Sequence, residues 1–331
     1  MKPKRDDFRV LVNMPDELNA NYLRWAERIQ AREGCKWGVQ GIDDKVIPIR
    51  AGQMAMIIAR PGHAKTSVMI YLAKQEAQRI VARGAQKTEC VVYVSWEESA
   101  EELTKMLLPP TDYTITDLAW GRVPLDVIRK QTARISQFPR ICIIGHSTEK
   151  AKRGQRAPVM TPDAVLEAVE TIDVDFGITP TLMLFDHLQE VPLPANRSKV
   201  EEIARVSKEI NDLGMRIGCP VYVGSQAKED VDNRDNKIPT AADSQWTSKA
   251  FQGADQYFTL LRPVQYLQPS QIGKEPYTFS DGRSFMINSN LLILRMWKQR
   301  GDRGVYTWPL FFDPATLKMG EMEARTSGLN F

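Results

Sequence analysis

Short runs of consecutive apolar residues alternate along most of the chain with stretches in which apolar residues recur every three or four positions. The runs Met54–Ala59, Cys90–Ser95, Ile141–Ile144, Thr181–Phe185 and Val221–Gly224 are near-continuous, as expected of parallel strands covered on both faces. Between them, Met69, Leu72, Ala73 and Ile80 form one helical stripe. Val200, Ile203, Ala204, Val206, Ile210, Leu213 and Ile217 form a stronger one. This alternation predicts a doubly wound α/β domain with a mostly parallel sheet and right-handed crossovers. After residue 254 the pattern changes. Asp255–Leu261, Phe285–Ile287, Leu291–Trp297 and Gly304–Phe312 read as strands joined by turns, which predicts an antiparallel C-terminal extension of the sheet. Ahead of Lys36, the residues Leu18, Tyr22, Trp25 and Ile29 share one face of a helix starting near Pro15 or Asp16. That face packs either on its own domain or on a neighbouring subunit.

Composition narrows the class. With 331 residues, 43% of them hydrophobic, the chain can bury a substantial core, which excludes wholesale disorder. The balance of 44 Lys+Arg against 41 Asp+Glu leaves only +3, so any contact with nucleic acid must come from local basic patches. Cys35, Cys90, Cys142 and Cys219 form no C-x-x-C pair, which argues against a disulfide scaffold or zinc ribbon and for a reduced, cytoplasmic compartment. His63, His146 and His187 have no metal-ligand spacing. No apolar run approaches the roughly 20 residues of a membrane helix, and none follows the basic N-terminus as a signal peptide would require. No membrane partner is expected.

The first strand runs into Ala59-Arg60-Pro61-Gly62-His63-Ala64-Lys65-Thr66-Ser67, and a helical pattern follows at once. The Lys-Thr pair and its placement fit the phosphate-loop pattern G-x-x-x-x-G-K-[ST], although alanines 59 and 64 stand at both glycine positions. Such a loop offers backbone N–H groups to phosphate at a helix N-terminus. On this reading Arg60, Pro61, Gly62, His63, Ala64, Lys65, Thr66 and Ser67 bind ATP, Lys65 reaching the β- and γ-phosphates and Thr66 helping to hold Mg²⁺. The alternative is an ordinary strand–turn–helix with a chance Lys-Thr pair. Three further strands each end in a polar group. Asp186 follows Thr181–Phe185 in the manner of a metal-associated Walker B carboxylate, Glu97 is placed to polarise an attacking water, and Gln226 to sense a γ-phosphate. All three converge on the edge where such sheets bind ligands.

Taken together, these motifs resemble the RecA-like ATPase domain of DnaB-type hexameric replicative helicases, from about Trp37 to Phe312. The family's A-R-P-x-x-G-K-T loop resembles residues Ala59 to Thr66, with Ala64 the departure. Its S-L-E-x-x-x-E-x-L stretch resembles Ser95 to Leu103 and carries the catalytic glutamate onto Glu97. I-D-Y-L-Q resembles Phe185-Asp186-His187-Leu188-Gln189, and the family's S-Q falls on Ser225-Gln226. Q-x-A-D resembles Gln252 to Asp255, with Arg262 keeping its spacing, and K-x-R resembles Lys298-Gln299-Arg300.

The resemblance implies a RecA-like P-loop NTPase fold, a homo-oligomeric ring of six with ATP between subunits, and Lys298 and Arg300 acting on the neighbour's nucleotide. It also implies single-stranded DNA in the ring, met by loops near Glu190–Lys199 and Ala227–Lys249. Candidate contacts there are Arg197, Lys199, Lys228, Arg234, Lys237 and Lys249. The segment Glu149–Arg156 is more basic and reads as a solvated loop, and Trp246 and Phe251 as packing residues. The expected function is an ATP-dependent DNA helicase or translocase moving 5′ to 3′, with ATP and Mg²⁺ as cofactors. The alternatives are a related ATPase that does not unwind, such as a recombinase, loader or clock-type ring, and a scaffold whose hydrolysis Ala64 has weakened. The expected organisation is an arm with a linker-type helix at 1–36, an ATPase core at 37–313 and a tail at 314–331. An arm this short is read as lacking the family's primase-recruiting domain. That implies a phage, plasmid or other mobile-element version with its own loader or primase.

Overall fold

The computed structural model describes residues 19–20, 22–24, 26–27, 34–107, 113–135, 140–146, 160–194, 196–245, 253–302 and 304–322. The chain divides into two compact units, Met1–Gly34 and Cys35–Phe331. In the first, the described residues from 19 to 27 are helical, with Tyr22 and Leu23 exposed. Leu18, Trp25 and Ile29 of the expected stripe lie outside the described residues.

The second unit is built on strands β1 (Met54–Ala59), β2 (Glu89–Ser99), β3 (Arg140–His146), β4 (Thr179–Asp186), β5 (Val221–Gln226) and β6 (Gln256–Leu261). These are followed by β7 (Pro276–Thr278), β8 (Ser284–Met286), β9 (Leu291–Gln299), β10 (Tyr306–Asp313) and β11 (Lys318–Glu321). The helices are α1 (Gln40–Asp43), α2 (Lys65–Ala82), α3 (Ala100–Leu107), α4 (Ile115–Ala119), α5 (Leu125–Ile135), α6 (Pro162–Glu170), α7 (Ile172–Phe176) and α8 (Lys199–Ile217). Nine strands form one sheet in the order β11-β10-β9-β6-β1-β5-β4-β2-β3. The six from β6 to β3 run parallel, and β9, β10 and β11 add antiparallel at the β6 edge.

Alternation along β1 explains why its whole run is apolar. Ala55, Ile57 and Ala59 join the core cluster that contains the α2 stripe, including Met69, Leu72, Ala73 and Ile80. Met54, Met56 and Ile58 face the other cluster, with Ile203, Val206, Ile210 and Leu213 of α8. Both faces are covered by helix, so neither parity of residue meets water. Helix α8 begins at a capping box, Ser198 and Glu201, and ends at Gly218 in the left-handed conformation.

Three expectations at the C-terminal end change. Asp255–Leu261 does not open the antiparallel part, because β6 pairs parallel with β1 and the reversal begins at β9. Phe285–Ile287 does not extend the main sheet. Phe285 lies in β8, which pairs with β7 in a separate hairpin, and Phe279, Phe285 and Ile287 pack with Leu291 and Ile293 of β9. The apolar residues of this segment thus cover a sheet face instead of joining an edge. Within the expected tail from residue 314, Lys318–Glu321 form a strand, because β11 pairs with β10 from Leu310 to Asp313. Its sequence, Lys-Met-Gly-Glu, holds no apolar run to betray it. Among the described residues no helix is long and apolar enough to cross a membrane.

Candidate nucleotide site

Between β1 and α2 the backbone enters the left-handed region twice, at Gly62 (φ 78°) and at Ala64 (φ 66°, ψ 23°). Ala64 therefore takes the conformation the missing glycine would supply, at the cost of a Cβ in an unfavourable region. It is also the N-cap of α2 and provides no side-chain cap, which leaves the first-turn N–H groups for a ligand. Lys65 and Thr66 open the helix and point to β4. The Lys65 ammonium pairs with Asp186 Oδ1, Thr66 Oγ1 donates to Asp186 Oδ2 at 2.5 Å, and the Tyr93 hydroxyl donates to the same oxygen at 3.1 Å. Burial works to raise the Asp186 pKa, but the Lys65 charge and the bonds from Lys65 and Thr66 outweigh it and hold the carboxyl below its usual range. Room for this carboxylate depends on Gly224 in β5, where a Cβ would lie 2.9 Å from Asp186 Oδ1.

The underside of the loop is fixed by groups far away in sequence. Gln265 Nε2 donates to Gly62 O at 3.1 Å, and Arg262 N donates to His63 Nδ1 at 2.9 Å. His63 is 3% exposed, and burial, against the opposing charge of Asp232, brings its pKa down to about 4. Arg60 turns away from the cradle: its Nε donates to Asp232 Oδ2 at 2.9 Å and its NH1 to Ala227 O at 3.1 Å. Tyr266 closes this cluster by donating to Asp232 Oδ1 at 2.6 Å. Pro61 is exposed, and Ser67 is half-buried in the first turn of α2.

Glu97 sits in the irregular end of β2, where the register with β3 shifts between Val94 and Ser99. Its Oε2 lies 3.0 Å from Nδ1 of the buried His187, a close contact off the line of an aligned hydrogen bond. This neighbour, more than the opposing partial burial, keeps the Glu97 pKa low, and the Lys65 charge adds to the effect. Gln226 ends β5 level with Ala59, the last residue of β1, so Lys65, Thr66, Glu97, Asp186 and Gln226 share one edge of the sheet.

Lys298 and Arg300 are elsewhere. β9 runs antiparallel to β6 with Gln299 opposite Gln256, and Gln256 is level with Ala55 near the start of β1. Arg300 NH1 pairs with Asp255 at 3.0 Å and its side chain is 68% exposed, while Lys298 Nζ donates to Ala254 O at 2.6 Å. Asp255 is anchored by Met54 N at 3.0 Å. The length of β1, roughly 20 Å at the usual rise per residue, separates these cations from the phosphate loop of the same chain.

The expected DNA contacts are mostly engaged within the chain. Arg197 donates to Glu202 at 2.9 Å and Arg234 to Asp243 at 2.7 Å. Lys199, Lys237 and Lys228 donate to backbone carbonyls, of Val191 at 2.7 Å, Asp232 at 2.8 Å and Ala242 at 3.2 Å. Lys228 is exposed, whereas Lys199 and Lys237 are less so. Lys249, Trp246 and Phe251 lie outside the described residues, as does the basic segment 149–156.

A parallel sheet with this strand order and a strand–loop–helix cradle at its C-terminal edge define a RecA-like P-loop nucleotide-binding domain. Within that class, residues 34–303 match the model of the DnaB-like helicase C terminal domain, and the chain belongs to that family. It is 21% identical to the replicative DNA helicase DnaB of Rickettsia felis over 308 residues, 90% of this chain and 59% of that protein. Identity to DnaB of Helicobacter pylori is 24% over 274 residues, 82% of this chain and 51% of that protein. The chain thus spans between half and three fifths of these relatives' length. A solved structure of an isolated ATPase domain is alike in fold, with a TM-score of 0.72 and 18% identity over 95% of this chain and 100% of that one. A DnaB-like replicative helicase, solved with attention to its interactions with primase, gives 0.70 at 18% identity over 95% of this chain and 68% of that one.

Proposed function

We propose that the protein is a ring-forming ATPase that moves on single-stranded DNA and separates duplex ahead of it. The observation that carries the reading is the division of the chemistry between two sheet edges. Lys65, Thr66, Asp186 and Glu97 gather at one, while Arg300 stands exposed at the other, too far to serve its own phosphate loop. A second copy that presents its Arg300 to this loop completes a site, and repetition of a head-to-tail contact closes a ring. Six copies is the number the family likeness favours. The stripe expected at Leu18, Tyr22, Trp25 and Ile29, in which Tyr22 is exposed, is an apolar face that a neighbouring copy would cover.

The residues fit a magnesium nucleotide: a hydroxyl and a carboxylate are hard oxygen ligands, and an ammonium lies beside them. When bound, the nucleotide supplies the phosphoryl group and the cation neutralises its charge. Thr66 and Asp186 are the residues that hold the cation, and Lys65 and the N–H groups of α2 hold phosphate. Glu97, kept ionised at neutral pH, orients water and takes its proton. Arg300, with Lys298, stabilises charge on the neighbour's phosphate. Gln226 relays the phosphate state to the loop after β5. Exposed Lys228 and backbone N–H groups of that loop meet DNA, with Arg197, Lys199, Arg234 and Lys237 as further contacts once their present bonds are exchanged, and with Lys249 as a candidate from the sequence. A loader or primase completes the set of partners, and the setting is the cytoplasm.

ATP turnover with and without single-stranded DNA, alongside separation of a forked duplex, tests the reading. Stimulated turnover and strand separation are expected. Turnover indifferent to DNA, or stimulation without separation, would favour an ATPase that does not unwind.

A further inference from the structure

One buried side chain joins the phosphate edge to the base of the loop that follows β5. Gln189 lies three residues beyond Asp186 and is 4% exposed. Its Oε1 accepts from Gln226 N at 2.8 Å, and its Nε2 donates to Ser225 Oγ and to Gln245 O, each at 2.9 Å. Ser225 Oγ is also bonded to Ser244 Oγ at 2.8 Å. The excursion from 228 to 243 leaves and returns at this knot, where Lys228 N donates to Asp243 O at 2.7 Å and Gln245 N to Gln226 O at 2.9 Å. Neither the end of β5 nor the returning strand of the loop can shift without breaking a bond to Gln189.

Packing alone does not account for an amide at this place. Leu188 and Val191 beside it are buried and supply the apolar contacts. The amide serves two chain segments that are 19 residues apart, Ser225 and Ser244 marking the ends. Buried polar networks of this kind, when every member is satisfied, fix one arrangement of the elements they join.

We propose that Gln189 is the positioning residue that transmits the state of the phosphate edge to the 228–243 loop. Buried within the fold, it acts through Ser225, Gln226 and Gln245. A displacement of the segment that carries Asp186 moves Gln189, and Gln189 moves both ends of the loop together. Arg60, bonded to Asp232 and to Ala227 O, is a second tie, from the phosphate loop, so a chain without Gln189 keeps the loop attached but loses its link to the segment that carries Asp186. That the loop meets DNA rests on the proposed function; the transmission itself is a property of the chain alone.

Amide hydrogen exchange of residues 226–245 in the full chain, with and without a nonhydrolysable ATP analogue and Mg²⁺, tests it. Nucleotide is expected to slow exchange there about fivefold or more in the unaltered protein. Gln189→Leu is expected to remove most of that response while affinity for the analogue stays within about twofold. An unaltered protein without the response, or a variant that retains it, overturns the proposal. If Gln189→Leu does not fold, Ser225→Ala removes one link, and an undiminished response in that variant overturns it equally. In turnover assays, Gln189→Leu is expected to lose about tenfold of the DNA-stimulated rate and much less of the basal rate. Equal loss of both marks a merely structural role and counts against the proposal. An intact exchange response in a protein that DNA does not stimulate would support the transmission and count against the motor.

Discussion

The two edges of the parallel sheet differ in how completely they satisfy their charges. At the C-terminal edge, Lys65, Thr66 and Tyr93 all converge on one buried carboxylate, Asp186. At the opposite edge, Arg300 rests on Asp255 with most of its guanidinium in water. A pair whose cation stays in solvent above a buried carboxylate is screened by water on that side, whereas a cluster drawn into the sheet is tuned by its neighbours and by burial. As proposed above, the first edge holds an anion and a cation, and the second presents a cation to something else. On the proposed reading the two are halves of one site that meet only between copies.

The largest effects break the halves singly. Arg300→Ala is expected to cut turnover about 10³-fold with little change in nucleotide affinity of the single chain, measured by steady-state rate and equilibrium binding. Lys65→Ala is expected to lower both. Glu97→Gln keeps the shape and removes the base, so turnover should fall about 10²-fold or more while nucleotide still binds.

A smaller effect sharpens the phosphate edge alone. Because His63 is held near pKa 4 when folded and titrates near 6.5 when unfolded, only the unfolded chain takes up its proton between these values. The stability present above pH 6.5 is therefore lost as pH falls toward 4, by about 3 kcal/mol at most. Urea unfolding at a series of pH values should show this slope, and His63→Asn should flatten it. Smallest of all, Ala64→Gly relieves the left-handed Cβ and should stabilise the loop by about 1 kcal/mol, read as a higher Tm and tighter nucleotide binding.

Much of this site was legible in the sequence because its signals are local. An apolar run followed by Lys65-Thr66, and another ending in Asp186, state both the element and the chemistry within a few residues. The antiparallel strands β9 and β10 were visible for the same reason. What could not be read are partners brought together by the fold. Arg60 belongs to a phosphate-loop motif, yet its guanidinium is taken by Asp232, and the loop is steadied from below by Arg262 and Gln265. Gly224 carries no motif, and its need appears only once Asp186 is set against it. The charges of Arg197 and Arg234 were plain, but their pairing with Glu202 and Asp243 was not. Composition counts charges and cannot tell which are already neutralised. The missing glycine at position 64 was legible, while the retention of the left-handed turn without it was not.

Mixing two inactive variants tests the central claim most directly. Lys65→Ala retains Arg300, and Arg300→Ala retains Lys65. If the halves meet between copies, an equal mixture exchanged before assay gives about one interface in four with both groups intact. DNA-stimulated turnover should then rise far above the mean of the two variants. A mixture no more active than its separate components would contradict the account, because it would mean that each chain needs both groups for itself.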